Sequence, residues 1–193
     1  MIRSRTYLDD RSVPLVLDPS ATLTLLATGV ASEVFAALEN RVLVADLLAA
    51  EFQGTPPLYR EQLAAMIGAG RVEVRTTDWS DARLLGVVSG SASTTLDDGE
   101  AASMFLACNA ESMFVSDDRK IERLCQDHCK GALVTCTFDI LALKRVGVAL
   151  GEGLMRCAVR SALADGLVVT PSRHAGWVRD LLLVRKPDQN QNK

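Results

Sequence analysis

Short apolar runs alternate along this chain with longer stretches in which apolar positions return every three or four residues. A run of about four apolar residues between turn residues predicts a buried strand, and the three-to-four spacing predicts a helix with one face on a core. Read this way, Pro14 to Leu17 is a first strand, and Ser20 opens a helix that Gly29 can end. Ser32 with Glu33 opens a short helix to about Glu39, Arg41 to Val44 is a second strand, and Asp46 to Phe52 is helical. Pro56 and Pro57 interrupt the chain before a helix from Tyr59 to Ile67. Gly68 and Gly70 then lead into a period-two strand, Arg71 to Arg75. A helix over Asp81 to Val88 and a loop over Ser89 to Thr94 precede a strongly helical stretch, Asp98 to Cys108. A strand from Ser112 to Val115, a helix from Arg119 to Gln126 and a strand from Leu133 to Cys136 follow. Beyond that point the pattern is helical throughout: Phe138 to Val146, Gly153 to Ala164 and Ser172 to Leu183, with a polar tail from Lys186.

Strands separated by helices imply right-handed crossovers, hence a mainly parallel sheet covered on both faces, a three-layer α/β/α arrangement. In such sheets ligands lie outside the carboxyl ends of the strands. The polar residues at strand ends therefore carry the most information. Asp18 directly follows the first strand in "PLVLDPSATL", and Asp117 and Asp118 follow the strand at Ser112 in "VSDDRKIERL". One aspartate is enough to cap a helix, so the pair asks for a further role. Two more acids come from helices. Glu51, in "VADLLAAEFQG", has the apolar neighbours Leu47, Leu48, Ala50 and Phe52, and Glu100, in "LDDGEAASMFLA", sits in a first helical turn beside Asp97 and Asp98. Taken singly, each has an ordinary explanation as a helix-dipole or solvated-face residue. Converging on one rim, they would repel one another unless cations neutralised them, and such a set of hard oxygen donors suits Mg²⁺ or Mn²⁺.

Composition narrows this modestly. With 193 residues and 48% hydrophobic positions the chain is long and apolar enough for one domain with a sizeable core. A net charge of −3 argues against gripping nucleic acid by bulk electrostatics, although bound cations reverse a local field. No apolar stretch reaches the ~20 residues a membrane span requires. The first residues lack the apolar core of a signal peptide, and the five cysteines (Cys108, Cys125, Cys129, Cys136, Cys157) show no disulfide-scaffold spacing. Reduced thiols in the cytoplasm are the expectation.

The four acidic segments, "VLDPSATLTLLA", "ADLLAAEF", "LDDGEAASMFLA" and "FVSDDRKIERLC", resemble in order and spacing the motifs of the PIN-domain family, over Val13 to about Val146. The resemblance implies a metal-dependent ribonuclease fold common among the toxins of toxin–antitoxin pairs. By the same resemblance Asp18, Glu51, Glu100 and Asp118 are catalytic metal ligands, Asp117 is an accessory acid, and Ser20 and Ser116 orient carboxylates. Mg²⁺ or Mn²⁺ is the implied cofactor, RNA the substrate, an antitoxin protein a partner, and a homodimer the suggested assembly, with no membrane involved. The implied organisation is a nuclease domain over 1–146, a helical C-terminal extension over 147–185 packed on it, and a polar tail over 186–193. The extension has no counterpart in a minimal member of the family. Its Arg156, Arg160, Arg173, His174 and Arg179 read as phosphate contacts or, more simply, as a solvated charged face with His174 exposed.

Other chemistries have weaker support. An aspartyl-phosphate enzyme wants a second acid two residues after Asp18, where Ser20 stands, and no phosphate-binding glycine loop is present. Cys125, His128 and Cys129 share a helix face, but no second pair completes a zinc site, and no orienting acid completes a Cys–His nucleophile. Trp79 and Trp177 read as packing anchors. The competing class is a catalytically silent PIN-like binding or assembly module, disfavoured because such a module has no reason to keep a repulsive acidic cluster.

Overall fold

Leu15, Val16 and Leu17 are all buried, so the first strand is apolar on both sides, as a strand between two helical layers must be. The computed structural model describes residues 5–78, 80, 96–109, 111–129, 133–164, 166 and 168–183. It places this strand, β1 (Leu15–Leu17), at the centre of a five-stranded, all-parallel sheet with β2 (Val42–Ala45), β3 (Glu73–Arg75), β4 (Met113–Val115) and β5 (Leu133–Thr135). The strand order is β3-β2-β1-β4-β5. Register is fixed by pairs such as Val16 with Leu43 and with Phe114, and Val115 with Thr135. The order runs one way from β1 to β3 and the other from β4 to β5, so the switch point lies between β1 and β4.

Alternation of side chains across the pleat divides the interior in two. Leu15, Leu17, Val42, Val44, Met113 and Val115 face the larger core. That core is filled from α2 (Pro19–Ala27), α3 (Ala31–Leu38), α5 (Pro57–Gly68), α8 (Thr137–Leu141), α9 (Lys144–Ala164) and α10 (Ala175–Leu182). A short α1 (Arg5–Leu8), which the sequence pattern did not suggest, adds Leu8. Val16, Leu43 and Phe114 face the smaller core. There they meet Met104 and Ala107 of α6 (Asp98–Asn109) and Ile121 and Cys125 of α7 (Arg119–His128). The remaining α4 (Asp46–Glu51) follows β2 and packs on α6. The result is the expected three-layer α/β/α sandwich with C-terminal helices.

Several details differ from the sequence reading. The predicted helix from Phe138 breaks after Leu141, and a new helix, α9, runs from Lys144 to Ala164 through Gly151. Gly151 holds φ 67° and ψ 167°, a backbone region that glycine enters without strain, so the two predicted helices join across a kink there. Val146, Leu150, Met155, Val159 and Val178 share the larger core with β1, so the C-terminal helices help to build the interior. The helix expected from Ser172 opens as a 3₁₀ turn, Ser172–His174, before α10. The cysteines are corrected too: Cys108 and Cys129 form a disulfide. Helices α6 and α7 flank β4 in sequence, so both end at the same rim of the sheet, and this brings together thiols 21 residues apart. With its sulfur so engaged, Cys129 is lost to a zinc site with Cys125 and His128. No single helix among the described residues is long and apolar enough to cross a membrane. The predicted helix over 81–88, the loop over 89–94, Trp79 and the polar tail lie outside the described residues.

Phe114 is fully buried at the middle of the sheet. Phe114→Ala should lower stability by about 3–5 kcal/mol through lost burial and a residual cavity. Urea unfolding should show this as a fall in midpoint at unchanged slope.

Candidate functional site

The β1 backbone delivers Asp18 to the sheet's carboxyl rim, where its N–H donates to the carbonyl of Val115 at the end of β4 (3.0 Å). Proline at position 19 cannot extend the strand but suits a first helical turn, so the chain turns into α2 and Asp18 becomes its cap. The Ala21 N–H donates to Asp18 Oδ1 (2.7 Å), and the Ser20 hydroxyl lies within hydrogen-bond distance of both carboxylate oxygens (2.8 and 2.9 Å). The Ser116 hydroxyl adds a further bond. Asp18 is 1% exposed, and among the described residues no lysine, arginine or histidine pairs with it. Burial, with a small addition from the charge of Asp117, pushes its pKa up to about 7 against the opposing bonds from Ala21, Ser116 and Ser20.

The second strand end answers why two aspartates stand together. Asp118 caps α7, its Oδ1 accepting from the Lys120 N–H (2.7 Å), while its own N–H donates to Ser116 Oγ (3.2 Å). Asp117 points the other way: Oδ1 accepts from the Thr137 N–H (2.9 Å) and Oδ2 from the Thr137 hydroxyl (2.7 Å), which fixes the start of α8. Both Asp117 oxygens are thus engaged, whereas the bonds found for Asp118 use one. The Asp117 N–H donates to Ser20 Oγ (3.2 Å), so Ser20 links the ends of β1 and β4. Burial raises the Asp117 pKa against its bonds from Thr137.

Glu100 is held differently. Its N–H donates to Asp97 Oδ1 (2.7 Å) and its Oε2 accepts from the Asp97 N–H (3.1 Å), a reciprocal cap at the start of α6. Burial raises its pKa, with the Asp97 and Asp118 charges adding and Lys120 opposing, so Glu100 is electrostatically coupled to the start of α7. Glu51 closes α4, as expected from its helix, but its side chain is not among those described. A strand-end acid that the sequence reading passed over is Asp46. It follows β2 directly, and its Oδ1 accepts from Leu47 N–H (3.0 Å) and Thr77 N–H (3.3 Å). Asp18 and Asp117 are thus linked through Ser20, and Glu100 feels the charge of Asp118.

A second polar centre, which no local pattern announces, lies beyond β5. His174, expected to be exposed, is 2% exposed, and its Nε2 donates to Asp139 Oδ1 (2.8 Å). The Arg173 fork grips the same carboxylate, Nε on Oδ1 (3.1 Å) and Nη2 on Oδ2 (2.5 Å), with Nη2 also 3.1 Å from Cys136 Sγ. Phe138 and Trp177 pack around the His174 ring, which bears out Trp177 as an anchor. Burial disfavours the charge on Asp139, yet the Arg173 and His174 bonds outweigh it and hold the carboxyl well below the usual range. Burial pushes the Cys136 thiol up to about 12. Cys136, Asp139 and His174 offer donors within 4.8 Å of one another, a spacing a soft metal could use, but Arg173 already supplies the compensating cation.

Two aspartates of equal burial thus have opposite electrostatics. Asp139 has its arginine, and the donors found for Asp18 among the described residues are all neutral. A buried carboxylate without a cation either binds a proton or recruits a positive charge. Hard oxygen donors from Asp18, Asp118 and Glu100 fit a divalent ion such as Mg²⁺ or Mn²⁺ in their chemistry. No family model, curated protein or solved structure matches this chain.

Because folding raises the Asp18 pKa, the native state holds this proton longer than the unfolded chain does, and stability is lost as pH rises from about 4 to about 7. In chelator, Asp18→Asn should gain stability relative to wild type across that window and hold the gain above it. Urea titrations at a series of pH values check this; a difference independent of pH would contradict the raised pKa.

Proposed function

We propose that this chain is a PIN-type endoribonuclease in which Asp18, Glu51, Glu100 and Asp118 hold Mg²⁺ or Mn²⁺ at the β1–β4 switch point. The observation that carries the reading is Asp18: a carboxylate at the end of the central strand, buried, without a cationic partner among the described residues, and beside a second strand-end acid. Parallel sheets bind ligands at this place. A divalent ion there would supply Lewis-acid stabilisation of the phosphoryl group and a water of lowered pKa. The chain's own part is orientation. Ser20 and Ser116 fix the Asp18 carboxylate, the α7 cap fixes Asp118, and Thr137 holds Asp117 as a support behind the pair. By the family resemblance the products carry a 5′-phosphate and a 3′-hydroxyl, a protein antitoxin is the inhibitory partner, and a homodimer is the assembly.

One observation favours the silent-module reading. Asp18 is nearly sealed, and its oxygens already accept several bonds, so a protonated Asp18 would serve as a plain helix cap. The two readings separate on activity. Asp18→Asn and Asp118→Asn should each lower Mn²⁺-dependent cleavage of single-stranded RNA by about a hundredfold or more, the scale of several kcal/mol of lost charge stabilisation. Ser20→Ala should weaken apparent Mn²⁺ affinity by about tenfold, as loss of a ligand-orienting bond does. Gel assays with end-labelled RNA, alongside thermal melting of each variant, check both. Full activity in a folded Asp18→Asn variant would remove the metal assignment.

A further inference from the structure

Among the described residues, the bonds that hold Asp139 leave Nη1 of Arg173 without a partner. We propose that the outer edge of this guanidinium binds a phosphate of single-stranded RNA beside the acidic rim, an inference that rests on the nuclease reading above. The hydrogen bonds found for Arg173 use Nε and Nη2, and Nη1 with its two N–H groups takes part in none of them. The exposure agrees with this: the Arg173 side chain is 53% exposed, against 2% for the carboxylate it grips. The inner edge is therefore fixed by Asp139 while the outer edge meets solvent. A guanidinium held in one rotamer presents its N–H groups to a phosphate with little ordering cost.

Position supports the same role. Arg173 Nη2 lies 3.1 Å from Sγ of Cys136, the residue directly after β5, so the cation sits on the carboxyl rim. Cys136 precedes Thr137, whose N–H and hydroxyl hold Asp117, the neighbour of Asp118. Arg173 thus stands at the strand next to β4, displaced along the sheet from the proposed metal ligands. A polyanion approaching a rim lined with Asp18, Glu100, Asp117 and Asp118 meets like charge, with Glu122 of α7 acting on Arg173 as well. A fixed cation at one end of that rim, together with metal at the other, offers the strand two points of attachment. Neither Asp139 nor Glu122 occupies the outer edge of Arg173 in the bonds found.

The test is fluorescence anisotropy with a labelled ten-nucleotide single-stranded RNA, Ca²⁺ replacing Mg²⁺ to hold cleavage down, between about 50 and 200 mM salt. Wild type is compared with Arg173→Gln and Arg173→Lys, and each variant is melted. Arg173→Lys keeps a charge opposite Asp139, so its fold is preserved, and it lacks the outer pair of N–H groups. Both variants should bind about tenfold more weakly, the scale of one charge-assisted hydrogen bond, and Arg173→Gln should flatten the salt slope by about 0.7. Equal affinity of wild type and a folded Arg173→Lys would overturn the inference while leaving the nuclease reading intact. A wild type that binds Mn²⁺ but no RNA would overturn both, and the missing wild-type signal tells this outcome from the first.

Discussion

A carboxylate buried at the end of the central strand, with no counter-charge among the described residues, is the constraint around which this rim is organised. Asp18 cannot move away: its N–H is bonded to the end of β4, and its side chain caps α2. The surrounding donors, Ala21 N–H and the hydroxyls of Ser20 and Ser116, are neutral, and they soften the cost of burial without cancelling it. A pKa near 7 is the consequence. A cation arriving there at neutral pH competes with a proton for the carboxylate.

The other elements serve this arrangement at increasing distance. Ser20 joins the ends of β1 and β4, Asp117 and Thr137 extend the link to α8, and Asp139 carries it to Arg173 and His174 on the C-terminal segment. The C-terminal helices are thereby tied to the rim by polar bonds and to the sheet by the larger core. On the opposite face the Cys108–Cys129 disulfide joins the ends of α6 and α7, the helices that carry Glu100 in the first turn and Asp118 as the cap. Glu100 and Asp118 therefore sit on helices braced far from the rim.

What the sequence made legible was local. The apolar runs at Leu15 and Met113, and the caps at Asp18 and Asp118, are written within a few neighbouring residues, so the strands, their helices and the acids at their ends could be placed. The direction of Asp117 could not, because its partner Thr137 is 20 residues away. The same holds for Arg173 and His174, whose buried partner Asp139 lies 34 and 35 residues back, so a histidine in a polar stretch read as exposed. Cys108 and Cys129 share no motif, and only the return of both helices to one rim brings them together. The joining of two predicted helices through Gly151 depended on packing across the larger core, which no local pattern records.

The most direct test of the account is calorimetric titration of the full chain with Mn²⁺ at pH 6, in buffers of different ionisation enthalpy. If Asp18 gives up its proton to take part in metal binding, close to one proton should be released per metal, and the release should fade by pH 8.5 and vanish in Asp18→Asn. Absence of binding at millimolar Mn²⁺, or binding without proton release that Asp18→Asn leaves unchanged, would contradict it.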